Sequence, residues 1–255
     1  MTEIDQAEPA KTAVHLDNVS FAFTNNPILS EFDLTLREGE ILALVGPSGV
    51  GKSTILNLIA GVELPNSGSI KFESASSANS MAMVLQSPTL IPWRNIIDNV
   101  LIALELTSRK VTPLDRLDAE RLLESVGLPE EGRQYPYQLS GGMQQRAAFA
   151  RALISNPCIL LLDEPFSNLD FVSRAMLRLT VMQYRDTSGS SIILVTHDLE
   201  DAVRLADRII VLGGSPLSIS DEIPIAEPTR DRVTDNGQND DLIARYRRKI
   251  WNSMQ

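Results

Sequence analysis

The sequence predicts an α/β protein built on a doubly wound parallel sheet. Three observations carry that expectation. Short apolar runs of strand length, at 41–45, 159–162 and 192–195, alternate with segments of helical periodicity. A glycine-rich loop follows the first of these runs and leads straight into a helix. From 87 to 157 the pattern is helical throughout, as an insertion into the sheet would be. Composition agrees with this reading. A chain of 255 residues, 43% hydrophobic and 22% charged, is ordinary for a globular protein and excludes a disordered or collagen-like one. The single cysteine excludes an intramolecular disulfide. A net charge of −10 argues against nucleic acid as a partner.

Along the chain, residues 1–12 are acidic and polar, and are read as a flexible lead-in without the basic start and apolar run of a signal peptide. Val14, Leu16, Val19, Phe21 and Phe23 alternate in part, as in a half-buried strand, and Phe32, Leu34 and Leu36 alternate again. The run 41–45 is nearly all apolar and suits a central strand buried on both faces. Ile55, Leu56, Leu58 and Ile59 mark a helix that Gly61 is placed to end. Short strands are expected at 69–72 and 81–85, with a loop at 74–80. Helices are expected at 95–106, 114–126, 140–154, 171–184 and 199–205, and a last strand at 208–212. Residues 227–241 read as a linker, and 242–251 as a short amphipathic helix. No run approaches the roughly 20 apolar residues of a membrane span, so work at a membrane would need another chain to hold this one there.

Gly46-Pro47-Ser48-Gly49-Val50-Gly51-Lys52-Ser53 matches the phosphate-binding pattern G-x-x-x-x-G-K-[ST], with a strand before it and a helix after it. Glycines let the backbone curl so that several N–H groups face one phosphate, and the helix N-terminus adds partial positive charge. Lys52 is placed to reach the terminal phosphates, and the Ser53 hydroxyl to hold Mg²⁺. The strand 159–162 delivers Asp163 and Glu164 at its end. Alone, two acids there could simply mark the end of a strand. With a phosphate loop upstream, Asp163 suits a Mg²⁺ shell and Glu164 suits the attacking water. Ser140 caps a helix that opens with Gly141 and Gly142, a second helix start suited to an anion.

Residues 46–54, 139–144 and 159–164, in this order and spacing, resemble the Walker A, signature and Walker B motifs of the nucleotide-binding subunit of ATP-binding cassette (ABC) transporters. The resemblance covers roughly residues 13–213. It implies a P-loop NTPase (RecA-like) core with a mostly parallel sheet, an N-terminal antiparallel β subdomain and an inserted helical subdomain at about 87–157. The ATPase domain would span 13–226, and 227–255 would hold a linker and a short C-terminal helix. The implied ligands are ATP and Mg²⁺. ATP would be held by Phe23, Gly46, Pro47, Ser48, Gly49, Val50, Gly51, Lys52, Ser53, Thr54 and Gln86, and Mg²⁺ by Ser53, Gln86 and Asp163. Glu164 and His197 would be catalytic. Ser140, Gly141, Gly142 and Gln144 would reach the ATP of a second subunit in trans, and Asp170 would lie at the dimer interface. Asn168 departs from the alanine more usual in that loop. Phe23 has two readings, a ring stacked on adenine or plain core packing. His15 and Cys158 carry no motif and read as structural, Cys158 as an inert core thiol.

Residues 90–100 resemble the segment that docks the permease in importer ATPases for nitrate, sulfonate, taurine and bicarbonate. The blander reading is that Pro92 and Trp93 start a helix with a packed aromatic. The importer resemblance implies an ATPase subunit at the cytoplasmic face of the cell membrane, powering uptake of a small anionic solute. Its expected partners are transmembrane permease subunits, a second, identical ATPase subunit and, indirectly, an extracytoplasmic solute-binding protein. The alternative is a non-transport ABC ATPase that drives an envelope membrane partner by ATP-dependent dimerisation. The tail after 227 is too short for the β-rich regulatory domain of sugar-importer ATPases.

Overall fold

The computed structural model describes residues 11–24, 26–72, 80–107, 110–227, 229–233 and 240–253. The expected loop at 74–80 therefore falls almost wholly outside the described residues, as does most of the N-terminal lead-in. The chain forms two sheets. Strands β1 (Thr12–Phe23), β2 (Asn26–Arg37) and β4 (Ser67–Phe72) make an antiparallel sheet in the order β2-β1-β4. Strands β3 (Ile41–Val45), β5 (Met81–Val84), β6 (Ile159–Asp163), β7 (Ser191–Val195), β8 (Arg208–Gly213) and β9 (Ser218–Pro224) make the main sheet. Its order is β5-β6-β7-β3-β8-β9, parallel except for the antiparallel edge strand β9.

The side-chain period of two divides the core. Ile41, Ala43 and Val45 of β3 join one apolar cluster, with Leu160, Leu162, Ile192 and Leu194. Leu42 and Leu44 join the other, with Leu161, Ile193 and Val195. Helix α1 (Lys52–Ile59) and the three-stranded sheet cover the second cluster through Ile55, Leu56, Leu16 and Leu34. The remaining helices cover the first. Strands β3, β6 and β7 are buried at every residue, so the apolar runs had no polar face to show.

The helical insertion comprises α2 (Ile96–Glu105), α3 (Pro113–Ser125) and α4 (Gly141–Leu153). Each starts where a side chain accepts a backbone N–H: Asn95 for α2, Thr112 for α3 and Ser140 for α4. Helix α5 (Phe171–Ser188) is capped by Asp170 and stopped by Gly189 at φ 69°. Helix α6 (Leu199–Leu205) is capped by Asp198.

The C-terminal region is more structured than a linker. Helix α7 (Thr229–Val233) lies inside the stretch 227–241, and helix α8 runs Asp240–Ser253. Arg232 is fully buried and donates to the carbonyls of Val203 and Ala206 at the end of α6. Burial pushes its guanidinium down to about 10, so it is still a cation at neutral pH. Ile243, Tyr246 and Ile250 bury one face of α8 against the main core.

Two other expectations change. Cys158 is exposed, not a core thiol, because the buried run begins one residue later at Ile159. Strand β9 was not expected, since only Ile223 of its seven residues is buried and the rest show no apolar alternation.

A buried ion pair joins the layers. Arg208 on β8 donates to both carboxylate oxygens of Glu40, at 2.7 and 3.0 Å, and to the Thr35 carbonyl of β2. Both side chains are about 6–7% exposed. Arg208→Met would leave Glu40 buried without its partner and should cost about 3–5 kcal/mol. Urea unfolding checks this, and a loss under about 1 kcal/mol would contradict it.

Candidate active site

The parallel register builds the site. Leu44 of β3 and Asp163 of β6 both sit level with Val195 of β7. Three strands therefore end side by side, and the chain leaves them at Gly46, Glu164 and Thr196. The residues after all three ends meet at one edge of the sheet, as open parallel sheets require of a ligand site.

Gly46 is needed here by contact. A Cβ on it would lie 2.5 Å from the Leu212 carbonyl oxygen of neighbouring β8. Gly51 has φ 112°, and a Cβ there would strike Ile28 at 2.6 Å. The loop between them curls over Lys52, whose ammonium donates to the carbonyls of Gly46 and Pro47 at 2.8 and 2.7 Å. No side chain caps α1, and its first turn holds no acid. The start of α1 lines the cleft, and the partial positive charge of its N-terminus is balanced by no side chain of its own first turn.

That cleft has a volume of about 310 Å³ and is lined by Ser48, Gly49, Gly51, Lys52, Ser53, Thr54, Gln86, Asp163, Glu164 and Val195. Gln86 enters just beyond β5 and is exposed. Burial lowers the Lys52 pKa, while Glu164 and Asp163 oppose that shift. Burial raises the Asp163 pKa and Glu164 adds to the rise, against Ser53 and Lys52. Both charges are therefore less favourable here than in water despite their mutual attraction. Glu164 adopts φ 49°, a left-handed conformation rare outside glycine. Its N–H donates to the Val195 carbonyl at 2.9 Å, and its Oε2 lies 2.5 Å from His197 Nδ1. The carboxylate is mostly covered at 13% exposure, and the imidazole is open at 56%.

The donor set fits a hard dication and a polyphosphate. A serine hydroxyl, a carboxylate and an amide carbonyl are the oxygens Mg²⁺ takes. A lysine and a helix N-terminus are what phosphate takes.

Other expected residues lie elsewhere. Val50 packs on the second apolar cluster. Phe23 is 48% exposed at the end of β1, its ring edge-on to Phe21 at 4.8 Å, so it is not plain core. Ser140, Gly141, Gly142 and Gln144 lie outside this cleft. Ser140 caps α4, and Gln144 donates to the Pro136 and Leu139 carbonyls. Asp170 accepts from the Val172 and Ser173 N–H groups, both at 3.0 Å. Trp93 is 77% exposed and is not the packed aromatic of the blander reading. A groove of about 550 Å³ runs beside its loop, lined in part by Met81, Met83, Ile91, Ile102 and Leu106.

Three further polar side chains organise these parts. Asn99 is fully buried and binds the loop before α2 through the Ile91, Arg94 and Asn95 carbonyls and the Ile91 N–H. Gln145 donates from α4 to the Leu85 carbonyl, next to Gln86. Arg151 donates to the Thr89 carbonyl. Asn99 lies within the segment 90–100 that the sequence set apart, and it also stands on an otherwise apolar helical stripe.

Comparison with known proteins gives one answer. A family model described as ABC transporter matches residues 29–167. The chain is 39% identical over 226 residues to the aliphatic sulfonates import ATP-binding protein SsuB 1 of Agrobacterium fabrum, covering 88% of this chain and 80% of that one. It is 39% identical over 207 residues to the taurine import ATP-binding protein TauB of Escherichia coli K12, covering 80% of each. Among solved structures, the dimeric bacterial ABC transporter cassette MJ0796 superposes with a TM-score of 0.76 at 29% identity, over 84% of this chain and 100% of that one. The same cassette in a post-hydrolysis dimer bound to ADP and Pi gives 0.75.

The raised Asp163 pKa has a measurable consequence. Burial penalises the ionised form, so the penalty is present at pH 7 and vanishes once the pH falls below the ordinary value of 3.8. Asp163→Asn should therefore raise the melting temperature of the nucleotide-free chain in EDTA at pH 7, and the gain should shrink on acidification. Thermal denaturation across that range checks this, and an equal or lower Tm at pH 7 contradicts it.

Proposed function

The chain belongs to the ABC transporter family, and from that premise we propose that it is the ATP-hydrolysing subunit of an importer, powering uptake of a small anionic solute through a separate membrane permease. The observation that carries the catalytic part is the meeting of Lys52, Asp163 and the Glu164–His197 pair in one cleft. The relatives named for aliphatic sulfonates and taurine favour a sulfonate among the small anions.

In this reading the loop 46–54 and Lys52 bind the phosphates of ATP, while the exposed Phe23 ring offers its face to the base. Entry of the γ-phosphate gives Lys52 an anion in place of neutral carbonyls. Ser53, Asp163 and Gln86 would hold Mg²⁺, which when bound draws charge from the phosphate oxygens. Glu164 aligns and deprotonates the attacking water, and His197 holds the Glu164 carboxylate in place across their hydrogen bond.

Ser140, Gly141, Gly142 and Gln144 would meet the ATP of a second, identical chain, with Asp170 at the junction. Placing the signature outside its own cleft leaves it available for that role. The start of α5 supports the same junction, since Phe171 and Val172 are 82% and 67% exposed. Each of two ATP molecules would then bridge two helix N-termini, one from each chain, and hydrolysis would remove the bridge. The permease would dock at the groove beside Trp93, in a loop made rigid by Asn99. Among the described residues no helix is long and apolar enough to cross a membrane, so the permease would also hold this chain at the cytoplasmic face. A solute-binding protein outside the cell would deliver the anion.

Two variants test the chemistry. Glu164→Gln should bind ATP and accumulate as a dimer by size-exclusion chromatography with light scattering; rapid turnover by that variant would overturn the assignment. Lys52→Ala should lose most of its ATP affinity in equilibrium binding, and unchanged affinity would remove the loop's role. Purifying Glu164→Gln from solubilised membranes with Mg-ATP tests the partner. A co-purifying polytopic permease supports import, and a non-permease envelope protein contradicts it.

A further inference from the structure

We propose that Arg174 is a positioning residue for His197, acting through Asp198. The inference rests on the reading that His197 and Glu164 serve ATP hydrolysis. It begins from how little holds the imidazole itself. His197 is 56% exposed, and its ring hydrogen bond runs to Glu164, the group it is meant to orient. A ring so open takes its position from its backbone, and the backbone is held at Asp198.

Besides accepting the Ala202 N–H at its carbonyl, Asp198 makes three bonds. Its N–H donates to the Thr196 hydroxyl at 3.0 Å, fixing the turn around His197 from the strand side. Its Oδ1 accepts the Glu200 N–H at 2.8 Å, which caps α6. Its Oδ2 accepts Arg174 Nη1 at 2.6 Å, which ties the same residue to another helix. The two side chains are only 24% and 33% exposed, so this pair is less screened than one on open surface. Arg174 lies in the first turn of α5, its N–H on the Asp170 carbonyl at 2.9 Å. The path from the exposed start of α5 to the catalytic pair is thus Asp170, Arg174, Asp198, His197 and Glu164.

The rest of α6 does not depend on this bond. One turn further along α5, Arg178 donates to Asp201 in a pair that is 7% and 2% exposed, and it reaches Glu200 as well. Arg204 also binds Glu200. Arg178 keeps α6 packed on α5, while Arg174 controls only the end that carries His197. Loss of Arg174 should therefore loosen the turn 196–198 that holds His197 without releasing the helix. Because Phe171 and Val172 at the start of α5 face outward, a second chain pressing on that turn would be felt at His197 through this one ion pair.

The test uses Arg174→Ala, Arg174→Lys and Asp198→Asn in the full chain. Asparagine keeps the helix cap but gives up the charge, so it separates the two roles of Asp198. Only two histidines are present, so the His197 ring proton is assigned in an NMR spectrum by its loss in His197→Ala. The expected result is a displaced His197 resonance in Arg174→Ala and Asp198→Asn, returned toward its original place in Arg174→Lys. Turnover should fall about tenfold in the first two variants, part of the 10²–10⁴-fold that a positioned acid–base group supplies, with KM within about twofold. An unmoved resonance in Asp198→Asn overturns the proposal, as does full kcat in that variant. The resonance needs no hydrolysis to be read. A wild-type chain without ATPase activity would defeat the proposed function and leave the positioning of His197 to be decided by the spectrum.

Discussion

Everything in the site depends on three parallel strands ending level with one another. Leu44, Val195 and Asp163 occupy one row across β3, β7 and β6. That row brings the glycine loop, the acidic pair and the turn holding His197 to a common edge from three separate parts of the chain. Register errors of one residue are blocked by burial on both faces, since a slip would exchange the two apolar clusters on either side of the sheet. The local features then follow from close approach. Gly46 is glycine because β8 passes beside it, and Gly51 because Ile28 does.

The cleft so formed holds its charges at a disadvantage. Lys52 and Asp163 are both less favourably ionised than in water, and the lysine is occupied by neutral carbonyls of its own loop. Such a site favours an incoming polyanion and dication, because their charges replace the hydration that burial has removed. Glu164 is held at a backbone conformation rarely used, with its carboxylate turned to His197. This is backbone strain at the residue proposed to activate the attacking water, supported by the packed strands below it.

Much of the fold was legible in the sequence because the central strands β3, β6 and β7 are buried at every residue. The runs at β3, β6 and β7 needed no alternation to be read, and the cap at Ser140 marks a helix start by its chemistry. The phosphate loop and the acidic pair were legible because each is contiguous in the chain. What escaped was set by contacts distant in sequence. Strand β9 is a polar edge whose only apolar anchor is Ile223, and α7 is held by the buried guanidinium of Arg232. Cys158 was misplaced by local pattern because its exposure is decided by where the neighbouring strand begins. The tie between Arg174 and Asp198 joins positions 24 residues apart and has no signature at either end.

The central claim is that one chain carries two halves of a site which two chains must complete. The most direct measurement is the ATPase rate per chain as a function of protein concentration, at saturating Mg-ATP. The account predicts a specific rate that rises with concentration and then levels as dimers fill, with a sigmoidal dependence on ATP at fixed protein. A rate per chain independent of dilution, from a species that stays monomeric during turnover, would contradict it.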